Sequence, residues 1–173
     1  MSLLTTMQAR RSIRQYTGEP IPETSLKQIL QAGLLAPTSQ NLHPCSFVLV
    51  RNKEVLTALA NAKQAGAGML RDADAAIVVL ADEAKADTWV EDSAIALSYM
   101  NLMAVECGVG SCWIQMHLRS DATGRNAEEN VRKILGAKPP LRVVGVLSLG
   151  MPAEERDPQP LDALDWSKVT DLT

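Results

Sequence analysis

One stretch of the chain, residues 88–107, limits the possible folds more than any other feature. Its apolar side chains occur on every side of a helix instead of along one stripe. They are Ile95, Ala96, Leu97, Tyr99, Met100, Leu102, Met103, Ala104 and Val105. A helix of this kind lies at the centre of a fold or is shared with a partner subunit. The acidic residues Glu91 and Glu106 argue against a span through a membrane.

The ends of this helix are marked by polar residues and a glycine. Thr88 and Glu91 have the S/T-x-x-E spacing of a capping box, in which each side chain bonds a backbone N–H group of the first turn. Gly108 is of the type that commonly stands just beyond a helix C-terminus. The sequence therefore predicts a central helix that begins at Thr88 and runs to Cys107.

Shorter patterns predict four more helices and four strands. The first helix is predicted at residues 2–10, and the second begins at Pro22 and Glu23 and is closed by Pro37. A third helix is capped by Asn52, and a fourth covers residues 126–135. The predicted strands are residues 46–50, 76–80, 111–114 and 141–149. Helices and strands do not alternate as a doubly wound nucleotide fold requires, and no G-x-G-x-x-G follows a strand. A dinucleotide would have to bind without a Rossmann site.

Charge and composition favour a soluble protein that binds neither nucleic acid nor membrane. The net charge is −3, the pI is about 5.4, and no basic stripe is interleaved with aromatic residues. With 46% hydrophobic and 21% charged residues, residues 1–173 are expected to form one domain, whose proline-rich end, residues 151–173, is an extended C-terminal arm. The N-terminus matches no secretory or mitochondrial signal, which predicts a cytoplasmic protein.

The cysteines and histidines predict no metal site. Cys45, Cys107 and Cys112 form no C-x-x-C pair, and only His43 and His117 could join them as ligands. Their odd number also argues against a disulfide framework. Cys107 and Cys112 lie in apolar stretches, which is typical of buried, inert thiols.

Residues 10–14, RRSIR, concentrate three guanidinium groups and a hydroxyl. These groups match the oxygens of a phosphate monoester, because charge-assisted bidentate hydrogen bonds are short and strong. The alternative is a solvated basic turn at a helix end. Composition alone does not decide between the two.

Residues 36–44, APTSQNLHP, are a second polar segment, between a helix end and a buried strand. An amide side chain here can present both a donor and an acceptor to the edge of a heterocycle. The alternative is a turn in which Ser39 and Asn41 satisfy their own backbone. Both interpretations stay open on this segment alone.

Four motifs follow one another between residues 9 and 152. Residues 10–16 fit R-R-S-x-R-x-[YF], and residues 36–47 fit A-P-[ST]-x-x-N-x-x-P-x-x-F. Residues 108–114, GVGSCWI, are close to G-L-G-x-x-W-[IL], and residues 144–152 are a late strand that ends in G-x-P. Any one motif is weak, but four in register are specific. Together they resemble the nitroreductase-like family of flavoproteins, which favours the functional interpretation of both polar segments.

The resemblance implies an α+β fold: a three-layer sandwich with a mainly antiparallel central sheet, in an intertwined homodimer that shares the helix at residues 88–107. It also implies flavin mononucleotide (FMN) in each of two clefts between the subunits. The implied cofactor-binding residues are Arg10, Arg11 and Ser12 at the phosphate, Arg14 at the pyrimidine edge of the ring, Pro37, Thr38, Ser39 and Asn41 from the partner subunit, and Gln115 and Met116 near the flavin N5. A cation at the pyrimidine edge stabilises the negative charge that reduction places there.

The activity implied by the resemblance is that of an FMN-dependent oxidoreductase. NADH or NADPH gives a hydride to flavin N5, and an electron-poor small molecule, of nitroaromatic or quinone type, takes the electrons in the second half of a ping-pong reaction. No catalytic side chain is expected, because the cofactor does the chemistry. The alternatives are a flavin dehydrogenase or dehalogenase on the same fold, a non-catalytic FMN-binding protein, and a helical interaction protein without a cofactor.

The chain departs from the family pattern at several positions. His43 and Cys45 stand where Gln and Trp are frequent, which implies a more open or differently bonded flavin pocket. Many relatives place a basic pair near the C-terminus on the phosphate, and here only Arg156 and Lys168 are candidates. The sequence assigns neither of them. The short span 117–126 leaves little chain for a lid and predicts an open cleft.

Overall fold

An antiparallel sheet of four strands forms the middle layer of the fold. The structure, a computed structural model, describes residues 2–172. The strands are β1 (Cys45–Val50), β2 (Ala75–Asp82), β3 (Gly110–Gln115) and β4 (Leu141–Gly150), in the order β1-β2-β4-β3. Each neighbouring pair is antiparallel. Strands β1 and β3 are therefore the two edges of the sheet.

Helices cover both faces of this sheet. They are α1 (Leu3–Ala9), α2 (Glu23–Leu34), α3 (Lys53–Ala60), α4 (Trp89–Glu106) and α5 (Ala127–Leu135). Successive residues of a strand point to opposite faces, so Val78 of β2 packs with α3 and α5, whereas Ile77 packs with α2 and α4. The result is an α+β sandwich in three layers, which confirms the fold class that the resemblance implied.

Helix α4 lies where the sequence predicts the central helix, and one of its sides packs on the sheet. Leu97, Met100 and Ala104 are fully buried there. Gly33 of α2 comes so close that a Cβ atom would lie 2.8 Å from Sδ of Met100. The other side of α4, at Tyr99, belongs to an apolar surface that also contains the exposed residues Leu3, Met7, Leu34 and Leu35. The helix is apolar all round because it contributes to a core and to this surface.

No helix within residues 2–172 is both long enough and apolar enough to span a membrane. Even α4 carries Glu91 and Asp92 in its first turn.

The capping box predicted at the start of α4 is wrong, although the helix begins after Thr88 as expected. The Thr88 hydroxyl bonds no backbone N–H of the first turn and donates to Oδ2 of Asp92 at 3.1 Å. With φ −85° and ψ 19°, Thr88 lacks the extended backbone that aims a capping side chain at those N–H groups. The carboxylate one turn further on is therefore its partner.

The other helix ends agree with the sequence signals. The side-chain oxygens of Asn52 and Asn126 accept backbone N–H groups at the starts of α3 and α5. Gly136 follows α5 in the left-handed region, with φ 66°. These caps are local, so the sequence alone was sufficient to place them.

After β4 the chain runs over the surface. Pro152 forms a bridge with Tyr16, and the backbones of Gln8 and Gln159 lie side by side, with the Gln159 N–H donating to the Gln8 carbonyl at 2.9 Å. The following residues are exposed and contain short 3₁₀ turns at Leu161–Ala163 and Trp166–Lys168. Residues 1 and 173, at the ends of the predicted domain and arm, lie outside the described residues. The division into one domain with an arm stays a prediction.

Candidate functional site

The arginine-rich segment, residues 10–14, lies against the edge strand β3. The Ile13 N–H donates to the Ser111 carbonyl at 2.9 Å. The segment is fastened at its far end by Tyr16, whose hydroxyl lies 2.8 Å from Oγ of Ser148 on β4. Burial raises the pKa of this phenol. Its ring covers Gly150, where a Cβ atom would lie 2.5 Å from the Tyr16 Cγ, so only glycine fits.

The predicted phosphate ligands therefore start from a fixed backbone. Arg10 is the C-cap residue of α1, Ser12 is half-buried, and the Arg14 side chain is exposed. The guanidinium of Arg11 donates to the carbonyl oxygen of Asp157, in the segment that follows β4. Within residues 2–172, neither Arg10 nor Arg14 forms an ion pair. Their positive charges are thus available to an anion.

The carboxylate of Glu154 orders the turn around Arg14. It accepts the Arg14 N–H at 2.6 Å and pairs with Arg156 at 2.6 Å. The hydrogen bond from the Arg14 backbone and the one from Arg156 lower the pKa of Glu154. Of the two C-terminal bases, Arg156 therefore lies beside the arginine-rich segment, whereas Lys168 pairs with Asp165 at 3.6 Å and is largely exposed.

The second predicted segment, residues 37–44, lies elsewhere in the chain. It precedes β1, at the opposite edge of the sheet from β3. With strands spaced about 4.8 Å apart, the two edges are separated by roughly 14 Å. The structure of one chain therefore does not bring the two polar segments together.

The end of β3 presents Gln115 in a network of hydrogen bonds. Its Oε1 accepts the indole N–H of Trp113 at 3.0 Å, and its amide nitrogen donates to the His117 carbonyl at 3.3 Å. Its backbone carbonyl accepts the ammonium group of Lys63 at 3.0 Å. Gln115 is half-buried and thus borders solvent.

Met116, the neighbouring predicted contact, is placed differently. It is fully buried, and its N–H donates to the Val144 carbonyl at 2.9 Å. The His117 N–H reaches the same carbonyl at 3.0 Å. In the single chain Met116 is thus closed to a direct contact, because its side chain follows Cys112 and Ile114 into the core beneath α3 and α5, and its N–H is bonded to β4.

Lys63 is a candidate site residue that the sequence did not reveal. It lines an open cleft of about 480 Å³ together with Gln64, Arg71 and the small-residue segment 65–68. Burial, and then the charge of Arg119, lower the pKa of Lys63. A lone lysine before a run of alanine and glycine carries no motif. Its relation to Gln115 exists only in the folded chain.

A buried ionic cluster supports the turn after β3. The carboxylate of Glu128, 2% exposed, accepts Nδ1 of His117 at 2.6 Å and Nε of Arg142 at 3.0 Å. Burial alone raises the pKa of Glu128, but the hydrogen bonds from Arg142 and His117 outweigh it, and the pKa lies below the ordinary 4.5. Arg142 also stacks over Trp89, 4.5 Å from the ring centroid. Residue 117 is therefore held firmly beside Gln115.

Known proteins resemble this chain over most of its length. The model of the nitroreductase family matches residues 7–67 and 57–151. A protein of Archaeoglobus fulgidus, provisionally named NADH dehydrogenase/NAD(P)H nitroreductase, is 36% identical over 152 residues, which cover 86% of this chain and 84% of that protein. An NADH dehydrogenase of Thermus thermophilus is 30% identical over 186 residues, covering 86% of each chain.

Solved structures of this family have the same fold as this chain. The structure of an FMN-dependent nitroreductase from Clostridium difficile R20291 superimposes with a TM-score of 0.95 and 36% identity, over 98% of this chain and 99% of that one. The four motifs quoted above lie within the residues that the family model matches, apart from the last residue of the fourth. The chain belongs to the nitroreductase family of oxidoreductases.

Proposed function

We propose that the protein is an FMN-dependent oxidoreductase that takes electrons from NADH or NADPH and passes them to an electron-poor small molecule, of nitroaromatic or quinone type. The observation that carries this proposal is the arrangement along β3. The arginine-rich segment lies against its start, at Ser111, and Gln115 with the Lys63 ammonium stands at its end. A strand of this length offers an anion site and a polar, cationic edge to one elongated ligand.

The residues present fit FMN by their chemistry. Guanidinium and hydroxyl groups suit its phosphate, and a cation suits the pyrimidine edge of the ring. In the proposed site one subunit supplies Arg10, Arg11, Ser12, Arg14, Lys63 and Gln115, and the partner subunit supplies Pro37, Thr38, Ser39 and Asn41. Met116 lies beneath the site and is not retained as a contact.

FMN, when bound, supplies the redox chemistry, in a ping-pong sequence in which a nicotinamide hydride is taken up before the acceptor is reduced. The role of the chain is to position and to polarise. Arg14 and Lys63 bring positive charge that stabilises the reduced cofactor, because preorganised cations favour the negative charge that reduction adds. We assign no acid or base side chain to the reaction.

We propose that the site forms in a homodimer. The two polar segments lie at opposite edges of the sheet of one chain, which supports a site in which a second copy supplies one of them. The apolar surface of α1 and α4, with Leu3 65% exposed and Met7 47% exposed, is suited to bury against that copy. We further propose that residues 1–173 act as one cofactor-binding domain with a C-terminal arm, in the cytoplasm.

Anaerobic mixing of the flavin-loaded protein with NADH or NADPH tests this function. We expect at least one nucleotide to bleach the visible flavin absorption, and addition of a quinone or nitroaromatic compound to restore it. If neither nucleotide bleaches the flavin, the protein is a dehydrogenase or dehalogenase on the same fold or a non-catalytic flavin carrier. If bleaching occurs and no acceptor restores the absorption, the acceptor class is wrong.

A further inference from the structure

Asp92 is a buried carboxylate to which the proposed function gives no role. It lies in the first turn of α4 and is 2% exposed. The positive end of the helix dipole favours its negative charge. Its Oδ1 accepts the backbone N–H of Ser39 at 2.9 Å, and its Oδ2 accepts the Thr88 hydroxyl at 3.1 Å. The side chain thus connects the central helix to the segment that precedes β1.

The segment on the other side of this hydrogen bond has an unusual backbone. Gln40, Asn41 and His43 have φ values of 49°, 58° and 46°, in the left-handed region that side chains other than glycine seldom adopt. Such conformations persist only where the surroundings hold them. Inside the turn, the Thr38 hydroxyl accepts the His43 N–H at 3.0 Å.

A cavity of about 200 Å³ adjoins the turn. Thr38, His43, Cys45 and Asp92 are among the residues that line it. The Ser39–Asp92 hydrogen bond crosses from the turn to the helix at this cavity. It ties the middle of the turn to α4, and a charged acceptor makes it stronger than a neutral one would be.

We propose that Asp92 is a positioning residue for the cofactor: it holds residues 38–43 in the strained conformation that places Thr38, Ser39 and Asn41 against the FMN of the partner subunit. This inference rests on the proposed function. Asp92 touches the turn and not the cofactor. Asp92 acts by holding an acceptor oxygen opposite the Ser39 N–H. The side-chain amide of an asparagine can supply an oxygen at the same position.

The test compares FMN binding by four variants, measured as quenching of FMN fluorescence, with thermal unfolding recorded in parallel. Asp92→Ala removes the acceptor, and we expect FMN to bind about tenfold more weakly, the usual effect of losing one hydrogen bond to a charged group. Asp92→Asn keeps an oxygen for the Ser39 N–H and can donate to Thr88, and we expect binding within about threefold of the wild type. Glu91→Ala, an exposed acid in the same helical turn, is the matched control and should bind normally.

Thr88→Val is the fourth variant and leaves the Ser39–Asp92 bond in place, so FMN binding should stay close to that of the wild type. The inference is overturned if Asp92→Ala binds FMN with wild-type affinity. It is also overturned if Asp92→Asn has a wild-type unfolding temperature but binds FMN about tenfold more weakly, the loss expected for Asp92→Ala. The second result remains decisive if Asp92→Ala does not fold. A wild-type protein that binds no FMN overturns the proposed function and this inference with it, whereas a failure confined to the Asp92 variants leaves the function standing.

Discussion

The ammonium group of Lys63 donates a hydrogen bond to the backbone carbonyl of Gln115 at 3.0 Å, across 52 residues of sequence. This contact places a partly buried cation at the end of β3, beside the cleft of about 480 Å³. Burial lowers the pKa of Lys63, and the charge of a partly buried cation is screened less by water than that of an exposed one. The contact leads to the first prediction.

Lys63→Met should weaken FMN binding about tenfold and lower the midpoint potential of the bound flavin, because the reduced cofactor loses a stabilising charge. Lys63→Arg should retain most of both properties. Lys138→Met, which removes an exposed lysine from the loop before β4, is the control. Fluorescence titration and dye-coupled reduction give the two values. Unchanged affinity and potential in Lys63→Met would remove this residue from the site.

Arg14→Ala should also release FMN more readily, by about tenfold, and the effect should shrink as salt is added, because an exposed cation acts through a screened charge. The side chain is exposed and forms no ion pair within residues 2–172, so its removal leaves no buried partner. Arg51→Ala removes an arginine that pairs with the exposed Glu23 and belongs to neither polar segment, so it should have no effect. Equal FMN retention by both variants would support a simple basic turn.

Glu128 should make the protein sensitive to acid. Its folded pKa lies below the unfolded value of 4.5, so its stabilisation is complete above that pH and is lost as the pH falls through the folded pKa. Glu128→Gln should cost about 1.5–3 kcal/mol at neutral pH, because it removes the charged acceptor of Arg142 and His117, while Arg142 keeps its ion pair with Glu83.

Melting temperatures between neutral pH and about pH 3 measure this effect, and the loss on acidification should be smaller in Glu128→Gln than in the wild type. Glu129→Gln, an exposed neighbour on α5, should follow the wild-type curve. If Glu128→Gln and the wild type lose stability in parallel as the pH falls, the acid sensitivity comes from other groups.

Gly150→Ala should destabilise the protein by about 1–3 kcal/mol, the usual cost of forcing atoms into a filled space. The added Cβ would lie 2.5 Å from the Tyr16 ring, which fastens the arginine-rich segment to β4. Gly68→Ala, where the new atom would meet Arg71 at 3.6 Å, should cost much less. Urea unfolding gives the free energies.

The same clash predicts strong coupling between two positions. In a Tyr16→Ala background, Gly150→Ala should cost little, because the ring that it meets is gone. Purely additive losses in the double variant would show that the glycine is needed for another reason.

Much of the fold follows from local patterns. The apolar residues around position 100 predicted the central helix, and the structure confirms the cap at Asn52 and a helix within the predicted residues 126–135. The start of α4 was predicted for the wrong reason, because Thr88 bonds the side chain of Asp92 instead of the backbone. A capping pattern in sequence does not reveal a competing carboxylate one turn away.

The strand order and parts of the site are tertiary properties. No pattern in the sequence predicts that β4 inserts between β2 and β3, or that the arginine-rich segment and residues 37–44 lie at opposite edges of the sheet. Lys63 and Gln115 meet only because the turn after α3 lies beside the end of β3. Met116 was predicted as a contact from its place in a motif, although it alternates with Cys112 and Ile114, whose side chains also point into the core.

The most direct test of the central claim is the visible absorption spectrum of the purified protein, followed by acid release of any chromophore and its identification by mass. We predict a flavin spectrum, FMN as the released compound, and a ratio near one FMN per chain. A colourless protein that also fails to take up added FMN would contradict the account and leave the apolar surface of α1 and α4 as a protein-binding surface without a cofactor.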